Sequence, residues 1–361
     1  MKSVTRKLMG AVLASLMVFS LTACGGDDKK AAPAAGGAAA SGGYAKLKEV
    51  TLVGADSTGK GAAGQLYGEL VASKVEKITG GKLKIDYHPN GDLGNDEDLL
   101  RQMKSNDIQI VVCQIAPITS LVPEMAIFDL PMVFAKYPGT AIEKVLNGDG
   151  AVKTAISAAY EKAGFHYLGI LQNATYRLTT ANKDLKTLED FKGLKIRTMS
   201  NKNHMAFWTA IGANPTPLAF SELYFALQSG TVNAEENAAD TVVSSNFNEV
   251  QKYLACTNHI LYANQIAISK KAYDGLDPAY QKALNQAVAE AGKEIGGKLA
   301  DIEKTNKETL KKKGMTIIDY DKTFFDKVLA VQGVKDLYAS IDKQVNGLGT
   351  TLVKELEKAG K

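Results

Sequence analysis

Several residue types are scarce in this chain, and each scarcity excludes a class of protein. Only 3 of the 361 residues are cysteine, too few for a small fold held together by disulfide bonds. A large excess of one charge is also lacking, since the chain contains 43 Lys and Arg and 39 Asp and Glu. Three of the cations, Lys2, Arg6 and Lys7, precede the first acid, Asp27. The rest of the chain is almost neutral, which excludes a nucleic-acid-binding protein.

The short motifs of common enzymes are absent as well. The four histidines are dispersed, and the sequence contains no HExxH, GxSxG or P-loop motif and no GxGxxG after a predicted strand. Glu235, Glu236 and Asp240 have the residue types of a metal or acid–base site. A solvated turn is the simpler interpretation of this cluster. We predict that the protein is not an enzyme and holds no cofactor, and we assign no residue as a metal ligand; whether a metal accompanies a ligand stays open at this point.

The N-terminal residues have the pattern of an export signal. A basic start is followed by an apolar run over residues 8–21, shorter than the roughly 20 apolar residues of a membrane-spanning helix. The run ends in Leu21–Cys24, which resembles the bacterial lipobox, where the cysteine is lipidated and becomes the first residue. Cleavage by a general signal peptidase is the alternative. We predict a signal peptide over 1–23, a lipid anchor at Cys24, a flexible tether over 24–46 and an extracytoplasmic location.

Two cysteines, Cys113 and Cys256, remain beyond Cys24. Each lies inside an apolar run, and the two are far apart in sequence. An exported protein permits a disulfide bond, but two buried thiols are the favoured state.

From about residue 47 the chain alternates between strand-like and helix-like segments. Val50–Val53, Lys82–His88 and Ile108–Cys113 have strand patterns, and Leu66–Ile78 has the apolar spacing of an amphipathic helix. A further helix is predicted over Ile142–Ala163. This order predicts an α/β fold with a largely parallel sheet, in which ligands bind at the carboxyl ends of strands.

The stretch Lys192–Asp240 predicts a unit of strand, helix, turn, helix and strand. The first strand, Leu194–Arg197, ends on a cation. Pro215 and Pro217 exclude regular structure beyond the first helix. Ser221 is the predicted N-cap of the second helix.

Arg197 is the candidate anion-binding residue of this unit. A guanidinium offers a carboxylate two parallel donors and keeps its charge, so it selects an anion by geometry as well as by sign. Asn237 ends the neighbouring predicted strand. The alternative for Arg197 is a surface ion pair with Glu235 or Glu236. Phe207 and Trp208, on the helix between, are predicted to lie in the core.

A long helix begins at Pro278 and meets no strong breaker before Gly314 except Gly296 and Gly297. At about 1.5 Å per residue it extends roughly 54 Å, more than one small domain covers. We predict that it spans two lobes and that the helices after it pack on the second lobe.

Several short segments occur in a fixed order between about residue 47 and about residue 345. They are Gly91–Gly94, Phe128–Pro131, Gly193–Arg197, Gly212–Pro215, Phe220–Tyr224, Ala226–Gly230, Glu236–Asn237, Glu249–Leu254 and Thr257–Ile260. Together they resemble the extracytoplasmic solute-binding subunits of TRAP transporters. The resemblance implies a two-lobed periplasmic-binding-protein-like α/β fold with crossing strands and a long hinge-spanning helix.

The same resemblance implies domain limits and a function. Lobe I would comprise residues 47–174 and about 263–302, and lobe II residues 175–262 and about 303–361. The lobes would close around a small organic acid and deliver it to the membrane subunits of a TRAP permease. A ligand-binding module of a sensory system with the same fold is the alternative.

Site residues also follow from the resemblance. Arg197, Arg177 and Asn237 match the positions that bind the ligand carboxylate, and Phe220 matches a pocket phenylalanine; Arg177 could instead brace the pocket from behind. Asp56, Asp96 and Gln114 are the candidate polar contacts of lobe I, although each could equally be a cap or a turn residue. Ala55, Gln114 and Pro117 depart from the sialic-acid-binding members, so we expect a different acid.

Overall fold

The computed structural model describes residues 43–172 and 175–361. The predicted signal peptide, Cys24 and the predicted tether as far as residue 42 lie outside the described residues, as do Asn173 and Ala174. Within the described ranges, no helix is both long enough and apolar enough to cross a membrane.

The strands of the described chain form two sheets. They are β1 (Val50–Ala55), β2 (Leu83–His88), β3 (Ile110–Gln114), β4 (Phe165–Leu171), β5 (Leu178–Ala181), β6 (Lys195–Thr198), β7 (Asn214–Pro217), β8 (Ala234–Asn237), β9 (Tyr253–Ala255), β10 (Asn264–Ser269) and β11 (Thr316–Ile318). Sheet I has the order β2-β1-β3-β10-β4, and sheet II has the order β11-β9-β5-β8-β6-β7.

The helices that cover these sheets follow in chain order. They are α1 (Ala63–Thr79), α2 (Asp96–Ser105), α3 (Ile115–Ile118), α4 (Gly139–Asn147), α5 (Ala151–Ala163), α6 (Lys202–Ala210), α7 (Leu223–Gln228), α8 (Ala239–Ser244), α9 (Lys270–Asp274), α10 (Pro278–Lys312), α11 (Lys322–Ala330), α12 (Gln332–Gln344) and α13 (Leu348–Ala359). The mixed α/β architecture predicted from the sequence is confirmed.

Local signals in the sequence begin and end several of these helices. α1 ends at Gly80, whose φ of 61° is in the left-handed region that glycine adopts easily. The side chain of Asn95 accepts the backbone N–H of Asp98 and caps α2. Asp277 caps α10, which begins with Pro278.

Sheet I is mixed rather than largely parallel. β1 runs parallel to β2 and β3, but β10 runs antiparallel to both β3 and β4. β10 comes back from the second half of the chain, so its direction is set by the crossing between the two sheets and not by a local strand–helix–strand connection. The prediction of a largely parallel sheet is therefore wrong for that half of the sheet.

Three local predictions are also wrong. The segment 142–163 forms parts of two helices, α4 and α5, because the chain between them is Gly148-Asp149-Gly150 and glycine is a poor helix former. Pro215 and Pro217 lie in the short strand β7, where they are tolerated because β7 is the edge of sheet II. Ser221 lies in a 3-10 turn, and α7 starts at Leu223 without a side-chain cap.

The long helix α10 packs against elements of both sheets. It contacts α1 and strand β4 on the side of sheet I, and it contacts α8 and strand β11 on the side of sheet II. Of the terminal helices, α12 packs against α6, whereas α13 packs against α4 and α5. The assignment of residues 303–361 to lobe II stays a prediction.

The core contains the residues predicted to be buried. Trp208 is fully buried, Phe207 stacks edge-to-face on it at 5.1 Å, and both belong to the hydrophobic core. Cys113 and Cys256 are free, buried thiols, as predicted.

Candidate functional site

The strand order of sheet II brings the three predicted carboxylate-binding residues together. β6 and β8 are parallel neighbours, with Arg197 opposite Glu235. Asn237, the last residue of β8, pairs with Leu178, the first residue of β5. Arg177 immediately precedes Leu178. Arg177, Arg197 and Asn237 therefore lie at one end of sheet II.

Arg197 is buried, with only 2% of its surface exposed. Its Nε and Nη2 both donate to the carbonyl oxygen of Leu218, at 3.0 and 2.7 Å. The remaining guanidinium nitrogen, Nη1, is buried and has no hydrogen-bond partner among the described residues. Because Arg197 forms no ion pair with either Glu235 or Glu236 in the described chain, the surface ion pair considered above is not what the structure contains.

The charge of Arg197 persists in this environment. Burial and the neighbouring Arg177 lower the pKa of Arg197 to about 10, which leaves the guanidinium protonated at neutral pH. The ring of Phe220 lies 6.0 Å from Cζ of Arg197, within the range of a cation–π contact. Arg197 is therefore a buried cation whose donors are not all used.

Arg177 differs from Arg197 because its donors are occupied by the protein. Its Nε donates to the carboxylate of Glu236, and Nη2 donates to the backbone oxygen of Glu236 at 2.6 Å and to Oδ1 of Asn237 at 3.2 Å. Nη1 donates to Oε1 of Gln114 at 3.0 Å. Since Gln114 ends β3 of sheet I, this last bond joins the two sheets.

Glu235 and Asn237 form a second polar pair on β8. Asn237 donates from Nδ2 to Oε2 of Glu235 at 2.6 Å, and Thr180 donates to Oε1 at 2.9 Å. Burial raises the pKa of Glu235 to about 7, although these two hydrogen bonds and Arg197 oppose the shift. The pKa of Glu235 is therefore raised even though its carboxylate lies close to the cation Arg197.

The structure also contains a buried network of charged side chains that the sequence analysis did not predict. The carboxylate of Glu236 accepts from Arg177, lies 3.3 Å from Nδ1 of His204 and lies 3.1 Å from Nε2 of His259. Nε2 of His204 lies 3.1 Å from Oδ1 of Asp129. His204 therefore bridges two carboxylates that are 107 positions apart in the chain, Asp129 and Glu236.

The pKa shifts of this network follow from its charges. Burial disfavours the carboxylate of Glu236, but Arg177 and His204 outweigh burial and hold its pKa well below the usual range. Burial likewise disfavours an imidazolium at His204, but Glu236 and Asp129 raise its pKa to about 9. Burial lowers the pKa of His259, with Arg177 and His204 adding to the effect. At neutral pH His204 is charged and His259 is neutral.

The acid cluster Glu235, Glu236 and Asp240 is not a solvated turn. All three side chains are buried, because the two glutamates lie on the interior strand β8 and Asp240 follows it. Oδ2 of Asp240 accepts the backbone N–H of Ala63 at 3.0 Å, at the start of α1. In the described residues no three His, Cys, Asp or Glu side chains are arranged to hold a metal ion.

The three candidate residues from the sheet I side lie apart from this network, except for Gln114. Asp56 is buried and both of its oxygens are used, by Thr58 and by the hydroxyl of Tyr87. Asp96 is also buried and accepts a hydrogen bond from the hydroxyl of Ser57. Burial raises the pKa of Asp96 to about 7, and Arg197 is close enough to lower it in part.

A cavity of about 480 Å³ lies beside Ser57 and Phe220, a volume typical of small-molecule sites. Ser57 and the segment Asn90–Asn95 contribute to one wall, and Phe220 and Phe247 to the other. Neither Arg197 nor Asp96 lines this cavity, but each contacts a residue that does, Arg197 through Phe220 and Asp96 through Ser57. Asp98 contributes a carboxylate to the lining itself.

The chain matches a known family over most of its length. Residues 58–343 match the family profile of the bacterial extracellular solute-binding protein, family 7 (DctP). The chain belongs to this family. As a DctP-family protein it is a solute-binding protein of the TRAP type, as the motifs indicate.

Relatives of known name support the family assignment. The chain is 31% identical to the 2,3-diketo-L-gulonate-binding periplasmic protein YiaO of Escherichia coli, over 73% of this chain and 79% of that protein. It is 33% identical to the C4-dicarboxylate-binding periplasmic protein DctP of Rhodobacter capsulatus, over 66% of this chain and 69% of that protein.

Solved structures of similar proteins have the same two-lobed fold. The sugar acid binding protein DctPAm of Advenella mimigardefordensis, in complex with galactonate, is 26% identical and superposes with a TM-score of 0.80, over 86% of this chain and 99% of that one. A TRAP periplasmic solute-binding protein of Polaromonas sp. JS666, bound to D-erythronate, is 29% identical with a TM-score of 0.77, over 86% and 98%.

Proposed function

We propose that this DctP-family protein captures a small organic acid by placing the acid's carboxylate on Arg197. The observation that carries the proposal is the buried Nη1 of Arg197, which has no partner in the described chain. A buried donor without a partner costs about 1 to 3 kcal/mol. A ligand carboxylate that accepted from Nη1 would remove that penalty and neutralise the charge, which supports Arg197 as the anion-binding residue.

The other predicted site residues take supporting parts in this proposal. Asn237 and Glu235 lie on the strand beside Arg197, and Phe220 contacts Arg197 and also lines the cavity of about 480 Å³. Arg177 positions these groups rather than holding the carboxylate with a free donor, because its nitrogens already donate to Glu236, Asn237 and Gln114. Its bond to Gln114 also gives the ligand site a direct connection to sheet I.

The ligands of similar proteins agree with a carboxylate as the shared feature. Galactonate, D-erythronate and C4-dicarboxylates, which the proteins described above bind, differ in length and hydroxylation but all contain a carboxylate. Binding between the two sheets removes water and strengthens the ion pair with Arg197. The ligand then passes unchanged to the membrane subunits of a TRAP permease, without catalysis.

The first prediction concerns the carboxylate itself. Organic acids of the right shape should raise the Tm of the full-length protein by about 5 °C or more at 100 times their Kd, because such a ligand adds about 2.7 kcal/mol to the free energy of unfolding. The measurement is a thermal-shift screen of an organic-acid library. The matched control is the primary amide of each acid that binds, which keeps the shape but lacks the charge. An amide that stabilises the protein as much as its acid would contradict the proposal.

Delivery and the absence of catalysis are tested separately. Ligand recovered after long incubation with the protein should have an unchanged NMR spectrum, and a new product would overturn the proposal of a binding protein.

Uptake into vesicles that contain the TRAP membrane subunits should require this protein. Uptake that proceeds equally without it would exclude the delivery step.

The second prediction concerns the anchor. We propose that Cys24 is lipidated and holds the protein at a membrane, with the apolar run before it removed. Cys24→Ser should release the protein into the soluble extracytoplasmic fraction, because lipidation of this position requires the cysteine thiol. Membrane fractionation of both forms is the measurement. Equal retention of the variant would exclude lipidation as the cause of anchoring.

A further inference from the structure

A second cavity, of about 540 Å³, lies beside the edge of sheet I. Its walls come from the edge strand β4, from α10 and from α4 and α5, and α1 contributes one residue. Among the described residues, this cavity shares none of its lining with the cavity beside Ser57 and Phe220. Its volume is that of a small-molecule site, and its polar groups indicate what kind of molecule fits.

Tyr67 supplies a buried hydroxyl to this edge cavity. The residue lies on α1, and only 1% of its surface is exposed. Its hydroxyl forms no hydrogen bond within residues 43–172 and 175–361. Burial, with the charge of Glu143 adding to the effect, raises the pKa of Tyr67, so the group stays a neutral hydroxyl. A buried hydroxyl without a protein partner points to a bound group that supplies one.

Glycine at two positions keeps the space in front of this hydroxyl open. A Cβ atom at Gly169 of β4 would lie 3.7 Å from Oη of Tyr67 and 3.7 Å from Oδ1 of Asn147. A Cβ atom at Gly292 of α10 would also lie 3.7 Å from Oη of Tyr67. Because neither glycine has a side chain, the hydroxyl faces an opening rather than packed atoms.

Glu143 brings a carboxylate to the same end of the edge cavity. Its Oε1 accepts from Nδ2 of Asn147 at 2.9 Å, and its Oε2 accepts from Nε2 of Gln172 at 3.0 Å. Nδ2 of Asn147 also donates to the oxygen of Ile170 at 2.8 Å, so both hydrogens of that amide are used. A carboxylate has about four acceptor positions, of which the two amides take about half. This end of the cavity therefore offers acceptors.

The basic side chains of the lining do not neutralise Glu143. Nζ of Lys153 lies 3.5 Å from Oδ1 of Asp149, and Nδ1 of His166 lies 2.5 Å from Oε1 of Glu161. Glu143 itself has no ion-pair partner in the part of the chain that the structure describes. The charge left without a partner in this cavity is therefore negative.

We propose that the edge cavity binds a small organic ammonium ion, with the ammonium group between the carboxylate of Glu143 and the hydroxyl oxygen of Tyr67. An ammonium group has three N–H donors and no acceptor, so it suits a place where acceptors are unused. Its charge also offsets that of Glu143, and a hydrogen bond between charged groups is stronger than a neutral one. This site is additional to the organic-acid site and does not involve Arg197.

Three amines and their matched alcohols test the proposal on the full-length protein. The pairs are ethanolamine with ethylene glycol, 1,4-diaminobutane with 1,4-butanediol, and glucosamine with glucose, and within each pair hydroxyl replaces amino. NMR titration should show at least one amine binding at least about 10-fold more tightly than its alcohol. Failure of all three amines to bind would overturn the proposal, and so would an alcohol that binds as tightly as its amine.

Variants show whether the two named groups hold the amine. Glu143→Gln keeps an acceptor but removes the charge, and it should weaken amine binding by about 10-fold or more. Tyr67→Phe removes only the hydroxyl and should weaken it by about 3-fold or more. Gly292→Leu should abolish binding because its side chain fills the opening. Glu290→Gln is the matched control, since Glu290 is an exposed acid of α10 outside the lining, and the Kd should not change.

Organic-acid binding separates this proposal from the proposed function. Arg197→Ala should leave the Kd of the amine unchanged, and Glu143→Gln should leave the Kd of the organic acid unchanged. Amine binding that is lost in Arg197→Ala but kept in Glu143→Gln would overturn the second site and leave carboxylate capture intact. If a variant does not fold, the amine and alcohol pairs measured on the wild-type protein still decide.

Discussion

Replacing Arg197 by alanine is expected to abolish ligand binding. The guanidinium contributes a charge and the free donor Nη1 to the carboxylate, and a hydrogen bond to a charged group contributes about 1.5 to 3 kcal/mol. Loss of the charge and the donor together should weaken binding by at least about 100-fold. Calorimetry with an acid identified in the thermal-shift screen is the measurement.

The stability of the unliganded protein should change little in the same variant. Arg197→Ala removes two hydrogen bonds to the oxygen of Leu218, but it also removes a buried cation that has no ion-pair partner in the described chain. Loss of the hydrogen bonds lowers the free energy of unfolding, whereas loss of the unpaired buried cation raises it, so the two effects oppose each other. A variant that simply failed to fold would lose binding for another reason, so the Tm without ligand must be measured beside the Kd.

Two further variants make the Arg197 experiment specific. Arg197→Lys keeps the charge but loses the planar fork of donors, so an intermediate affinity is expected. Lys195→Ala removes an exposed cation from the same strand and should leave the Kd unchanged. A Kd that is the same in Arg197→Ala and wild type would end the assignment of Arg197.

Replacing Glu236 by alanine is expected to have the largest effect on stability. The carboxylate accepts from Arg177 and lies within hydrogen-bonding distance of His204 and His259. Its removal leaves a buried guanidinium and a buried imidazolium without their shared anion, which costs about 3 to 5 kcal/mol. The Tm should fall by about 6 °C or more, as measured by calorimetric unfolding.

A conservative variant and a surface control complete this test. Glu236→Gln keeps the shape but not the charge, so the pKa of His204 should fall from about 9, which NMR titration detects. Glu189→Gln removes an exposed partner of Lys192 and should change the free energy of unfolding by less than about 0.5 kcal/mol. A Glu236→Ala protein as stable as wild type would show that the network makes no net contribution to the free energy of unfolding.

The sequence predicted some local features correctly. The strand that contains Arg197 and the start of α10 at Pro278 both depend on residues close together in the chain. Propensity and periodicity describe such features because their physical causes are local. Likewise, the order of strands and helices was sufficient for the α/β class.

The network around Glu236 could not be predicted in this way. From the sequence alone, His204 and His259 are two of four dispersed histidines, Asp129 has no assigned role, and the cluster that contains Glu236 is interpreted as a solvated turn. Only the order of strands in sheet II shows that β8 is an interior strand, and an interior strand buries its charged side chains together with partners from elsewhere. A polar side chain whose hydrogen-bond partners are distant in sequence gives no local signal that it is buried.

The sequence by itself determined that this is a DctP-type α/β chain with an arginine at the end of a strand. Only the tertiary structure decided which arginine keeps a free donor. Arg177 and Arg197 have the same chemistry, but Arg177 faces Glu236 across neighbouring strands whereas Arg197 faces the oxygen of Leu218. The availability of a donor depends on which acceptors the fold brings within about 3 Å, and strand order rather than residue type determines those neighbours.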